Sequence, residues 1–223
     1  MNRDHLEESV SILERKELIT QTAFHEAGHA AAIYLRNKYY NFPQIRFRIS
    51  LPGVKQPKLL DNRLLLLGDM EFHSKLEGGL LVENHALNVK PYESAPAILV
   101  YQQACEVDVV NLLAGPLAEA KHIAQRDGEY INQHLVNYEA LKNYGGKSDL
   151  EKIEEYFDCF GLDPVKKAEK LKELYSVAFH FINHAHHWRA ISNLANYMLG
   201  SENEIIAYEE ASAILEAAIE TSI

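Results

Sequence analysis

Residues 22–35 read Thr-Ala-Phe-His-Glu-Ala-Gly-His-Ala-Ala-Ala-Ile-Tyr-Leu, an apolar, alanine-rich run interrupted by His25, Glu26 and His29. Such a run favours a continuous, buried helix, and a buried helix must find partners for those three polar side chains. His25 and His29 stand about one helical turn apart, so their imidazoles share a face and can bind one metal ion. Glu26 emerges beside them. The pattern H-E-x-x-H is that of two histidine ligands to zinc, with a glutamate placed to take a proton from water at the metal. The bland alternative is an ordinary helix whose histidines are satisfied by hydrogen bonds. Gly28 costs such a helix roughly 1 kcal/mol relative to alanine, which the close approach of another backbone would offset.

The chain's 223 residues, 47% hydrophobic and 24% charged, suffice for one good-sized core or two small ones. A net charge of −10 argues against a nucleic-acid partner, because phosphate binding rests on lysine and arginine. Cys105 and Cys159 have no metal-ligand spacing and are too few for a disulfide framework. They read as reduced core residues, which points to a cytoplasmic protein. Residues 1–20 mix charges with Leu6, Val10, Ile12 and Leu13, an amphipathic first helix rather than a signal peptide. The run Leu64–Leu67 is far short of the roughly 20 apolar residues that span a bilayer, so no membrane segment is expected.

Beyond the motif helix, Ile45, Phe47 and Ile49 alternate with Arg46, Arg48 and Ser50, the period of a half-buried strand. A second apolar stretch covers Leu64 to Phe72, and Gly78-Gly79 leads into Leu80-Leu81-Val82, a third candidate strand. Residues 38–95 are thus expected to form a small sheet against the motif helix. From Pro96 the pattern is helical to the end. One stripe, through Ile98, Tyr101, Cys105, Val109 and Leu112, leads to Gly115-Pro116, and helix resumes over Leu117–Ala124. After Tyr144-Gly145-Gly146, Ser148 and Glu151 match a capping box that puts Asp149 in a helix's first turn. Asp163-Pro164 starts a long helix through about His187, Gly200 ends the next, and a last helix covers Tyr208–Ile219.

A catalytic zinc usually has three protein ligands and an open fourth position. A histidine six residues after the second motif histidine, as in metzincins, is excluded by Leu35. The remaining candidates are carboxylates, of which Glu119 and Asp149 carry most weight. Here the sequence resembles the peptidase domain of the FtsH-type ATP-dependent zinc metalloproteases, through three blocks in that family's order. Thr22–His29 (TAFHEAGH) is similar to the zinc helix. Leu113–Ala120 (LAGPLAEA) is similar to the family's glycine-glycine-arginine segment followed by alanine and glutamate. Gly145–Leu150 (GGKSDL) is similar to the glycine-rich entry into the helix that carries an aspartate ligand. Ile191–Leu215, with Tyr208-Glu209-Glu210, is a weaker fourth match, and residues 38–95 do not align.

The resemblance implies one zinc ion per chain, held by His25, His29 and Asp149. It implies Glu119 as a supporting carboxylate outside the metal's own ligands, with direct ligation by Glu119 as the alternative. It also implies a mainly α fold with a small β-sheet (α+β), as a single FtsH-peptidase-like domain over 1–223. Residues 1–37 would hold the N-terminal and zinc-motif helices, 38–95 the sheet and 96–223 the helical part. The activity implied is that of a zinc metalloendopeptidase with Glu26 as general base, acting on a peptide or unfolded protein. The substrate would add as a strand along Gly79, Leu80, Leu81 and Val82.

Departures from the family pattern matter. No ATPase module is present, and Gly146-Lys147-Ser148 only imitates the end of a P-loop, since the motif's first glycine would fall on Leu141. ATP binding is therefore rejected, and a separate ATPase partner or a homo-oligomer is the corollary. Pro116 stands where the family has arginine, and the spacing from His29 to Asp149 is longer than usual. The missing motor motivates a second class of function, a zinc-binding adaptor or regulatory module with the peptidase fold and little proteolysis. Intact His25, Glu26 and His29 count against it. Separately, His180, His184 and His187 fall on one face of a single expected helix with His186 beside them. They read as a solvated or interfacial histidine face, with a pH-responsive contact or second metal site as the sharper alternatives.

Overall fold

A computed structural model describes residues 12–51, 75–82, 95–159 and 163–220. These residues are mostly helical, with a small three-stranded antiparallel sheet. Helix α1 (Ile12–Tyr39) contains the motif. From Ile12 onward the expected first helix and the motif helix are one element, and residues 1–11 lie outside the described ones. Ala23, Ala27, Ala30, Ala31 and Ala32 are buried along it, and their small side chains let α2 (Ala95–Arg126) pack closely. A methyl on Gly28 would sit 2.6 Å from the Ala114 carbonyl oxygen and 2.7 Å from Ala118 Cβ. That is the backbone approach the sequence required to offset a mid-helix glycine.

Helix α2 does not break at Gly115-Pro116 as expected but continues unbroken through both residues. A helix-interior proline costs about 3 kcal/mol. Its flanks Leu113, Ala114, Leu117 and Ala118 are fully buried in the core shared with α1, and that packing outweighs the local cost. Lys121 near its end donates to the Ile182 carbonyl at 2.8 Å and lies over the Trp188 ring at 4.4 Å. Cys105 is buried and in no disulfide.

Strand β1 (Phe47–Ser50) lies where alternation placed it, with Phe47 and Ile49 buried and Arg48 exposed. Its neighbours differ from expectation. One is β2 (Lys75–Gly78), paired through Ile49↔Leu76 and Phe47↔Gly78. The expected strand at Leu80-Leu81-Val82 is instead a turn. Gly78 and Gly79, at φ +85° and +88°, leave the extended conformation, and the Asp108 carboxylate then takes the Leu81 and Val82 N–H groups, each at 2.9 Å. The third strand, β3 (Ile205–Ala207), comes from the far end of the chain and pairs through Ile49↔Ile206, which puts β1 in the centre. The sheet is therefore not confined to 38–95. The apolar stretch Leu64–Phe72 lies outside the described residues.

A short 3₁₀ turn (Tyr138–Asn143) precedes α3 (Lys147–Cys159), which starts two residues earlier than the capping box suggested. Leu150 N–H bonds the Gly146 carbonyl, so Ser148 sits inside the first turn beside Asp149 rather than at the cap. Helix α4 (Pro164–Asn183) has Asp163 as its cap, accepting from Val165 and Lys166 N–H. It ends at His184, whose extended backbone (φ −67°, ψ 128°) separates it from α5 (Ala185–Gly200). The expected helix through His187 is therefore two helices: α4 packs on α2, whereas α5 turns to pack on α1 and on α6 (Tyr208–Glu220). No helix among the described residues is long and apolar enough to cross a membrane.

Candidate metal centre

His25, Glu26 and His29 from α1, Glu119 from α2 and Asp149 from α3 are all buried and meet at one place. His29 Nδ1 lies 2.8 Å from the Asn111 main-chain oxygen. A carbonyl only accepts, so Nδ1 carries the proton and a neutral His29 has its lone pair on Nε2. His25 Nδ1 lies 3.0 Å from Glu119 Oε2, and an ionised carboxylate likewise fixes the proton there. The two Nε2 atoms then face one carboxylate, His25 at 3.2 Å from Asp149 Oδ2 and His29 at 3.4 Å from Asp149 Oδ1. Asp149 Oδ2 is buried without a hydrogen-bond partner.

Two lone pairs aimed at carboxylate oxygens repel unless a cation lies between them. Protons can serve in part. Burial works against a charged imidazole, but the carboxylates of Asp149 and Glu119 outweigh it and hold the pKa of His25 well above its ordinary value. His29 is raised in the same way, burial being overcome by Asp149. Burial would raise Asp149, yet the two histidines hold it well below the usual carboxylate range. A metal ion resolves the same conflict without a proton. The ligand atoms of His25, His29 and Asp149 lie within 4.8 Å of one another, so this group could hold one, and it is the sole such group of three among the described residues.

Glu26 projects beside the cluster, and its Oε2 accepts the Leu76 N–H at 2.7 Å. Burial raises its pKa, with His25 and His29 opposing in part. Leu76 lies on β2, which among the described residues is the edge of the sheet away from β3, so the edge facing the cluster there is Lys75–Gly78 and not the expected Gly79–Val82. Of the latter, Leu80 lines the cleft, and Leu81 is buried in a separate small cluster with Ile45, Ala104 and Val107. The cleft is about 550 Å³, with Ile33, Leu76, Leu80 and Leu112 as apolar wall and Glu26 and Asp149 at its floor.

Glu119 reaches His25 but is not in the three-ligand group, which favours the supporting role over direct ligation. Two contributors escaped sequence reasoning: the Asn111 carbonyl, and Gly115. A methyl on Gly115 would lie 2.3 Å from His29 Nε2, so only glycine leaves room for the ring. Buried Asp108 and Asn111 in the otherwise apolar run Asp-Val-Val-Asn-Leu-Leu were the available signal.

Among the described residues the other histidines form no comparable three-ligand group, although the His184 ring lies 4.5 Å from that of His187 and 5.3 Å from that of His186. His184 ends α4, so His180 and His187 stand on different helices. His180 Nδ1 bonds the Ser176 carbonyl at 2.6 Å, and His187 Nδ1 bonds the Phe181 carbonyl at 3.0 Å while its ring stacks on Phe181. Compared with known protein families, with curated proteins and with solved structures, the chain matches none of them.

Proposed function

We propose that the protein is a zinc metallopeptidase of the FtsH-peptidase kind. The observation that carries the reading is the convergence of His25 Nε2 and His29 Nε2 on Asp149, with Glu26 alongside and bonded to a strand edge. Three sequence blocks far apart in the chain, those of His25, Glu119 and Asp149, contribute to it. Two imidazoles and one carboxylate are a donor set suited to zinc. Bound there, zinc would polarise a scissile carbonyl and make a nearby water acidic enough to attack it.

The chain's own residues do the rest. Glu119 and the Asn111 carbonyl fix the tautomers that turn both Nε2 lone pairs inward. Glu26, whose burial raises its proton affinity, accepts the proton of the attacking water and delivers it to the leaving amine. The edge of β2 offers main-chain groups to an extended peptide, with the apolar wall beside it taking side chains. The test is elemental analysis of purified protein together with cleavage of casein, with and without chelator, for wild type and Glu26→Gln. Stoichiometric zinc and chelator-sensitive cleavage abolished by Glu26→Gln are expected. Protein without zinc, or cleavage untouched by Glu26→Gln, would refute it, and zinc without cleavage would favour an adaptor.

A further inference from the structure

Asp108, Asn111, Gly115 and Glu119 follow one another along α2 at spacings of three, four and four, which is one face of a helix. Three of them act directly on the metal cluster: Asn111 holds His29, Gly115 makes room for its ring, and Glu119 holds His25. Asp108 is fully buried and accepts the N–H groups of Leu81 and Val82, one on each carboxylate oxygen. Those two amides lie just past Gly78 and Gly79, where the chain leaves β2. Two residues before those glycines is Leu76, whose N–H meets Glu26.

We infer that Asp108 is the positioning residue of the substrate-binding edge, tying the end of β2 to the same helix that orients both histidines. This inference rests on the peptidase reading above. Its physical content is alignment. Among the described residues strand β2 has a sheet partner on one side only, and four residues give it few ladder bonds. Those bonds and the Leu76 N–H to Glu26 hold the start of the strand against α1, and its far end, past Gly78 and Gly79, needs an anchor of its own. A carboxylate accepting two main-chain N–H groups is a short and strong tether, and Asp108 stands about 16 Å along the α2 axis from Glu119, at 1.5 Å per residue. One rigid helix therefore spaces the peptide-binding edge from the metal ligands.

The test uses the full chain as Asp108→Asn, which keeps the side chain's shape but turns an amide N–H₂ toward one of the two donors. A second variant, Gly79→Ala, strains the same turn through its φ of +88° and a 2.6 Å contact with the Ile33 side-chain tip on α1, without touching α2, and covers the case in which Asp108→Asn does not fold. Three quantities are read: zinc content, amide hydrogen exchange over residues 75–82, and KM and kcat for peptides long enough to pair with the strand. In both variants zinc should stay stoichiometric, and exchange at Leu76, Leu81 and Val82 should quicken. KM should rise roughly tenfold, the size of one lost hydrogen bond to a charge, with kcat nearly unchanged. Unchanged exchange in both variants, or zinc lost together with activity, would overturn the inference. Exchange and zinc content need no substrate. A wild-type protein that cleaves nothing would therefore refute the peptidase reading alone, while the exchange measurement still decides the role of Asp108.

Discussion

Gly115→Ala should abolish zinc binding at the candidate metal centre while leaving the fold in place. The added methyl would sit 2.3 Å from His29 Nε2, 2.4 Å from Cε1 and 2.7 Å from Cδ2. Non-bonded carbon atoms need roughly 3.5 Å, so the ring must withdraw by about 1 Å. The atoms struck are the far end of a side chain, which can swing away without moving the backbone, and alanine is a better helix former than glycine by up to about 1 kcal/mol. Stability should therefore change little. The site has no such freedom. Metal ligands hold their distances to within about 0.2 Å, and a ring displaced by several times that also gives up its 2.8 Å bond to the Asn111 carbonyl. Losing a ligand's orienting partner alone weakens metal affinity by about 10- to 100-fold, and displacing the ligand itself should cost at least about 100-fold. Zinc affinity is measured by competition with a chromophoric chelator and the fold by circular dichroism and urea unfolding, with Gly200→Ala as control because a methyl there meets nothing within 4 Å. A Gly115→Ala protein that binds zinc with wild-type affinity would show that His29 is not a ligand in the position described.

Glu119→Gln should keep the fold and weaken zinc binding by about 10- to 100-fold, because the neutral amide no longer fixes the proton on His25 Nδ1; equilibrium dialysis against a zinc buffer reads this directly. Gly28→Ala acts on the fold instead. Its methyl meets the main chain of α2 at 2.6 Å and should destabilise by about 1–3 kcal/mol, read as a lower urea midpoint at unchanged slope. Burial lowers the Lys121 ammonium from its ordinary 10.5 to about 8. Between those values the unfolded chain binds a proton that the folded one has released, so folding stability gains as pH rises through that window. Lys121→Met removes the linkage, and the stability of wild type relative to the variant should grow from pH 8 to 10.5 in urea midpoints taken at each pH. A constant difference would mean that the lysine is not desolvated.

Much of the candidate site was legible in the sequence because its chemistry is local. H-E-x-x-H on an alanine-rich helix puts two imidazoles on one face whatever surrounds them, and Asp149 in a first turn sits where a helix entry presents it. Alternation at residues 45–50 marked β1, and Asp163-Pro164 marked the start of α4, because a half-buried strand and a capped helix each write their own period or signal. The continuity of α2 through Pro116 was not legible. Proline's cost is local, but the burial that overcomes it comes from α1, some 80 residues earlier in the chain.

What the sequence by itself determined, then, was which residues could ligate a metal and which short segments would be helix or strand. The tertiary structure alone decided that Ile205–Ala207 completes the sheet, that Lys75–Gly78 and not Gly79–Val82 faces the cluster, and that His180 and His187 stand on separate helices. It also decided that Asp108, Asn111, Gly115 and Glu119 line one ruler behind the site. Periodicity records which way a side chain points along its own element. It does not record which other element, tens of residues away, packs against that face, and that packing chose the partners of the carboxylates and of the strand edge.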